Sequence, residues 1–141
     1  MKKRNPFWNV ILVLTILVCL MAFVLHYKNW TKIEPDEFKI LSGFYYKKLR
    51  YSALDSVVFV SKIPPMDRLN GFSVLEKEKG LFREFKDSLT DKKVHVYVDN
   101  LSDQKIKVVY NDSSKLYINY ADSVKTQELF TLLKGKINKP D

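Results

Sequence analysis

The chain is poor in the side chains that most often do chemistry. Of its 141 residues one is cysteine, Cys19, and two are histidine, His26 and His95. A single thiol inside an apolar run excludes a disulfide framework downstream and leaves no cysteine cluster for a metal. There is no H-E-x-x-H and no phosphate-cradling glycine loop ending in Lys-Ser or Lys-Thr. His95 stands alone in an alternating segment and reads as a strand residue rather than a base. Ser102 and Lys105 make a bare S-x-x-K, but its companion motifs are missing and the surrounding stretch reads as a solvated hairpin loop. Asp99, Asp103 and Asp112 lack the spacing of a calcium loop. The sequence therefore reads as non-enzymatic, with no catalytic residues, no metal and no cofactor. Internal repeats and low-complexity segments are absent too.

Acid is missing from the first thirty residues, which carry Lys2, Lys3, Arg4 and Lys28. Between positions 10 and 25 only Thr15 is clearly polar. Extended to Phe7 and Tyr27, this stretch has 21 residues. As a helix it would be about 31 Å long, the thickness of a bilayer's hydrocarbon core. Phe7 and Trp8 at one end, and Tyr27 and Trp30 at the other, would lie at the two interfaces. A cleaved signal peptide is the rival reading, but Leu20 stands where an A-x-A cleavage site before Ala22 would need a small residue. Val18 likewise fits poorly before a lipid-modified Cys19. The expectation is an uncleaved single-pass anchor over about residues 7–27, in a cell (inner) membrane. Three basic residues precede the span and two, Lys28 and Lys32, follow it. That bias puts the amino terminus in the cytoplasm and the remainder outside it.

The whole chain has 24 basic and 16 acidic residues; four of the basic ones lie in the first thirty, leaving a net charge of +4 on the rest. This permits attraction to anionic lipid. It falls short of the dense basic stripe that nucleic acid calls for.

After a short linker over 31–37, strand signals recur. They cover 38–41, a stretch from Phe44 towards Tyr51, and 57–60, stopped by Pro64 and Pro65. Residues 94–98 alternate, with three valines on one face and His95 and Tyr97 on the other. Strands over 106–110 and 116–120 follow, separated by polar turns, and suggest a meander of antiparallel hairpins. The period then changes. Asp122 or Ser123 can cap a helix whose stripe is Thr126, Phe130, Leu133 and Ile137, with Leu129 beside it. Lys134 and Lys136 suit its negative end, and Gly135 is placed to end it early. The fold class is mainly β: six or seven strands rolled into a small barrel or sandwich and closed by the helix.

This layout, with Pro64, Arg68, Asn70, Gly71, Phe72, Lys79, Gly80 and Phe82 in its middle and Ile118, Asn119, Asp122 and Thr126 before and into the helix, resembles the bacterial pleckstrin-homology (PH)-like domains. The resemblance covers residues 38–137, leaving 138–141 as a tail. It implies an antiparallel β-roll capped by a C-terminal helix. Eukaryotic PH domains place a tryptophan in that helix; here none follows Trp30, and Phe130 is positioned to fill the space. Headgroup selectivity is therefore not implied.

Lys47, Lys48 and Arg50 are the candidate contacts for an anionic ligand, as cations of one hairpin that could surround a phosphate. Arg68, Asn70, Gly71, Phe72, Gly80 and Phe82 read as structural. Asn70-Gly71 and Lys79-Gly80 are expected to bend the chain at the two ends of an exposed strand, with Phe72 and Phe82 returning it to the core. The functional expectation is a protein-binding or scaffolding module held near the bilayer, with partner unspecified. The alternative is a lipid-sensing module acting through the basic hairpin.

Overall fold

The computed structural model describes residues 5–85 and 93–137; Lys2, Lys3, Arg4 and the tail 138–141 lie outside the described residues. Helix α1 covers Pro6–Tyr27, with Pro6 in its first turn, where the missing N–H is not needed. It is about 33 Å long. None of its residues is buried, and it is long and apolar enough to cross a membrane.

Among the described residues nine strands follow, then a second helix. The first three are β1 (Trp30–Ile33), β2 (Glu37–Ser42) and β3 (Tyr45–Arg50), paired antiparallel in that order. The other six are β4 (Leu54–Val60), β5 (Met66–Val74), β6 (Lys77–Glu84), β7 (Lys93–Val98), β8 (Lys105–Tyr110) and β9 (Ser114–Asn119). They form one sheet in the order β4-β8-β9-β7-β6-β5. Helix α2 is Ser123–Ile137. The expected layout of apolar helix, β-rich body and closing helix is the one the chain adopts.

Residues 61–65, which join β4 to β5, run from one edge strand of the large sheet to the other. A flat six-stranded sheet separates its edges by about 24 Å. Five connecting residues reach at most about 21 Å. The sheet must therefore curl, and Val60, Ile63 and Met66 pack on its concave face against Val94, Val96 and Val98. The three valines share a face, as their alternation requires, while Tyr97 joins the opposite face. There the small sheet contributes Phe38, Ile40 and Leu49, and α2 contributes Leu129 and Leu133. Phe130 stacks on Phe59 with ring centroids 4.0 Å apart.

Four details depart from the sequence reading. Residues 31–33 of the stretch read as a linker belong to strand β1, paired Trp30 to Leu41 and Ile33 to Phe38. Only Lys28 and Asn29 separate it from α1. Asn70-Gly71 and Lys79-Gly80 do not bend the chain: Gly71 faces Gly80 in mid-ladder, and the turn falls between Val74 and Lys77, with Leu75 at positive φ. Strands β7 and β9 pair in parallel, because β9 inserts between β7 and β8. Gly135 does not end α2, which continues through it to Ile137.

Candidate functional site: the polar junction at the end of the apolar helix

A helix leaves its last carbonyls without partners inside the helix. Glycine at the C-terminus often solves this through a left-handed turn. Helix α1 has no such turn, since Lys28 is extended. The β body supplies the donors instead. The Gly43 N–H donates to the Leu25 carbonyl at 2.8 Å. Lys79 Nζ donates to the His26 carbonyl at 3.4 Å, and Lys77 Nζ to the Tyr27 carbonyl at 2.6 Å. Two ammonium groups thus sit at the negative end of the helix dipole, where cations are favoured.

Lys79 has no exposed surface and forms an ion pair with Asp99 at 2.6 Å; Lys77 lies 3.7 Å from the same carboxylate. Burial holds the Lys79 pKa below the usual lysine range, against the opposing pull of Asp99. The second Asp99 oxygen accepts the Asn29 N–H at 3.0 Å. The Asn29 side chain donates to the carbonyls of Tyr97 (2.7 Å) and Asn119 (2.9 Å). Asn119 uses its whole amide: its oxygen accepts from the N–H groups of Asp99 and Asn100, and its nitrogen donates to the carbonyls of Asn100 and Gln104. That side chain fixes the loop by which β7 passes over to β8 and leaves β9 between them. The junction thus joins the end of α1 to β6, β7 and β9 through a network of buried polar groups, in which Asn29 Oδ1 is left without a hydrogen-bond partner among the described residues.

An aromatic contact completes it. The His26 ring lies between Phe44 and Phe72, with centroids 5.1 and 5.3 Å away. Gly43, at φ +60°, allows this approach, since a Cβ there would lie 2.2 Å from His26 Nε2.

The candidate anion contacts border one groove but alternate between the two faces of β3. Lys48 and Arg50 are exposed on the outer face of β3, while Lys47 and Leu49 alternate to the inner face. The Lys47 ammonium stands over the Tyr110 ring at 5.0 Å, and burial lowers its pKa. Lys48 pairs with Glu37 at 2.7 Å. All three border an open groove of 480 Å³ with Tyr110 and Asn111, but from different sides of the strand. Ser102 and Lys105 do not meet as a reactive pair: Ser102 Oγ reaches Glu76, and Lys105 donates to the Ser61 and Leu101 carbonyls.

Of the residues read as structural, Phe82 is buried and Phe72 is half-buried against His26. Asn70 accepts a bond from the Tyr45 hydroxyl at 3.0 Å, tying β3 to β5. Arg68 is exposed on β5 opposite Phe82. The junction residues Asn29, Lys77 and Asp99 carry no motif. Lys79 and Asn119 were visible only as parts of the resemblance.

No family model, curated protein or solved structure matches the chain.

Proposed function

We propose that the chain is a single-pass membrane protein whose PH-like β domain is a binding or scaffolding module held at a set angle to the bilayer. On this reading α1 crosses the inner membrane with its amino terminus in the cytoplasm, and the domain stands outside. The observation that carries it is the capping of α1 by the domain through Gly43, Lys77 and Lys79. A cleavable leader or a flexible tether has no use for such contacts; a module that must present one face at one height does. The mainly β body with its closing helix supports the PH-like assignment.

The partner is a protein segment that adds to a sheet edge. Strand β5 is the candidate edge: nine residues, on the outside of the large sheet, with Leu69 and Val74 exposed. Backbone pairing needs few special side chains, which fits a chain so poor in reactive groups.

The test is affinity capture from detergent-solubilised membranes with the full chain, with residues 1–30 alone, and with Leu69→Lys. A protein retained by the full chain, absent with the anchor and reduced by the substitution supports the reading. The same proteins in all three samples would sink it.

A further inference from the structure

The outward face of the small sheet is ordered in rows. Register pairs Trp30 with Leu41 and Leu41 with Tyr46, so these three form one row across β1, β2 and β3. Two residues further along each strand, the next outward row is Lys32, Lys39 and Lys48. The apolar row is in large part exposed: Trp30, with the Lys28 ammonium 4.3 Å from its ring centroid, is 41% and Tyr46 56% exposed, Leu41 is half-buried, and Phe44, at the turn just beyond the row, is 77% exposed. A sheet face turned to bulk water would carry its aromatic residues inward.

Chain connectivity fixes what lies against this row. Trp30 is three residues past Tyr27, the last residue of α1. Three residues reach no more than about 11 Å. Gly43 bonds to Leu25 and Phe44 packs on His26, so the β2–β3 turn sits at the level of the helix's final turn rather than above it. If α1 spans, that level is the boundary between acyl chains and headgroups, where tryptophan and tyrosine are favoured. The lysine row stands about 7 Å further along the strands. Lys32 and Lys39 pair with Glu34 at 2.9 and 2.8 Å, and Lys39 and Lys48 with Glu37 at 3.0 and 2.7 Å. The row is therefore largely neutralised, with Lys32 and Lys48 more exposed than Lys39.

We infer that Phe44 and the row Trp30, Leu41 and Tyr46 are immersed in the headgroup–acyl boundary of the bilayer, with the Lys32, Lys39 and Lys48 row marking where water begins. This rests on the reading of α1 as a membrane span. The domain then meets the membrane at a second place beside the helix, through apolar contact that does not select a headgroup.

The experiment uses the full chain in phosphatidylcholine vesicles. An environment-sensitive dye is placed on native Cys19, in the middle of α1, or, with Cys19→Ala, on Phe44→Cys, Tyr46→Cys or Val124→Cys. Val124 is an exposed residue of α2 and reports water. The expected result is that Cys19 is quenched by lipids spin-labelled deep in the acyl chain. Phe44 and Tyr46 are quenched by lipids labelled near the headgroup and are several-fold less open to aqueous iodide than Val124. Trp8→Phe leaves Trp30 as the sole tryptophan, and its emission should be quenched by lipids brominated near the headgroup without any change in the sheet. Adding anionic lipid should leave these depths unchanged. Iodide access at Phe44 and Tyr46 equal to that at Val124, with Cys19 shielded, overturns the inference while leaving the span intact. Iodide access at Cys19 overturns the span itself. Shielding from iodide without quenching by any lipid means that protein covers the row, and also overturns the inference, as does immersion that requires anionic lipid.

Discussion

Gly71 and Gly80 face each other across β5 and β6 with no room for a side chain on the second. A Cβ on Gly80 would lie 2.2 Å from the Asn70 carbonyl oxygen and 2.5 Å from the Gly71 Cα, and its φ of +137° is one that side-chain-bearing residues rarely adopt. Gly80→Ala should destabilise the domain by about 2–4 kcal/mol, combining backbone strain with overpacking. Urea unfolding in detergent followed by tyrosine fluorescence measures this; a midpoint equal to wild type would contradict the packing described.

Gly135 provides the contrast. It lies within α2, and nothing stands within 4 Å of a Cβ placed on it. Gly135→Ala removes a helix-weakening residue at no steric cost and should stabilise by about 0.5–1 kcal/mol. A loss of stability in the same assay would mean that α2 does not run through this position.

The Lys79–Asp99 pair is predicted to matter more when broken than when replaced. Lys79→Met leaves a buried carboxylate with Lys77 at 3.7 Å as its remaining cation, and should lower stability by about 3–5 kcal/mol. Lys79→Met with Asp99→Asn should lose clearly less than the two single changes added together. A second readout separates the junction from general stability. Spin labels on Cys19 and Val124→Cys should give a narrow distance distribution in wild type and a broad one in Lys79→Met.

His95 sets an acid limb on stability. Burial first, then the charges of Lys47 and Lys93, hold its pKa at about 4 instead of the usual 6.5. The unfolded chain therefore takes up this proton before the folded one does. The contribution is whole above pH 6.5 and is lost progressively as pH falls towards about 4. His95→Gln should flatten the dependence of the urea midpoint on pH across that window; an unchanged slope would assign the acid limb to other groups.

How much of this was legible depended on whether the deciding neighbour was local. The apolar helix, the valine alternation over 94–98 and the stripe of α2 are written in adjacent residues, and each forms where the local pattern placed it. Strand β1 was not legible, because four residues after the apolar helix carry too short a pattern to separate strand from linker. Lys79 was legible only as half of an expected Lys79-Gly80 bend. Lys79 is buried only because Asp99, twenty residues on, and the end of α1, some fifty residues back, converge on it. The glycines had the same ambiguity: a bend and a close approach of two strands both ask for a missing Cβ, and only the partner strand distinguishes them. The parallel entry of β9 beside β7 is set by the Asn119 amide holding residues 99–104, which no local pattern announces.

The way α1 is capped makes it a lever. If α1 spans, a helix of about 33 Å can adapt to a thinner or thicker bilayer by changing its tilt. With its final carbonyls bonded to Gly43, Lys79 and Lys77, α1 has no hinge at which to absorb such a change. Membrane thickness would then be converted into the pitch of the β body above it, until the Lys77 and Lys79 contacts gave way.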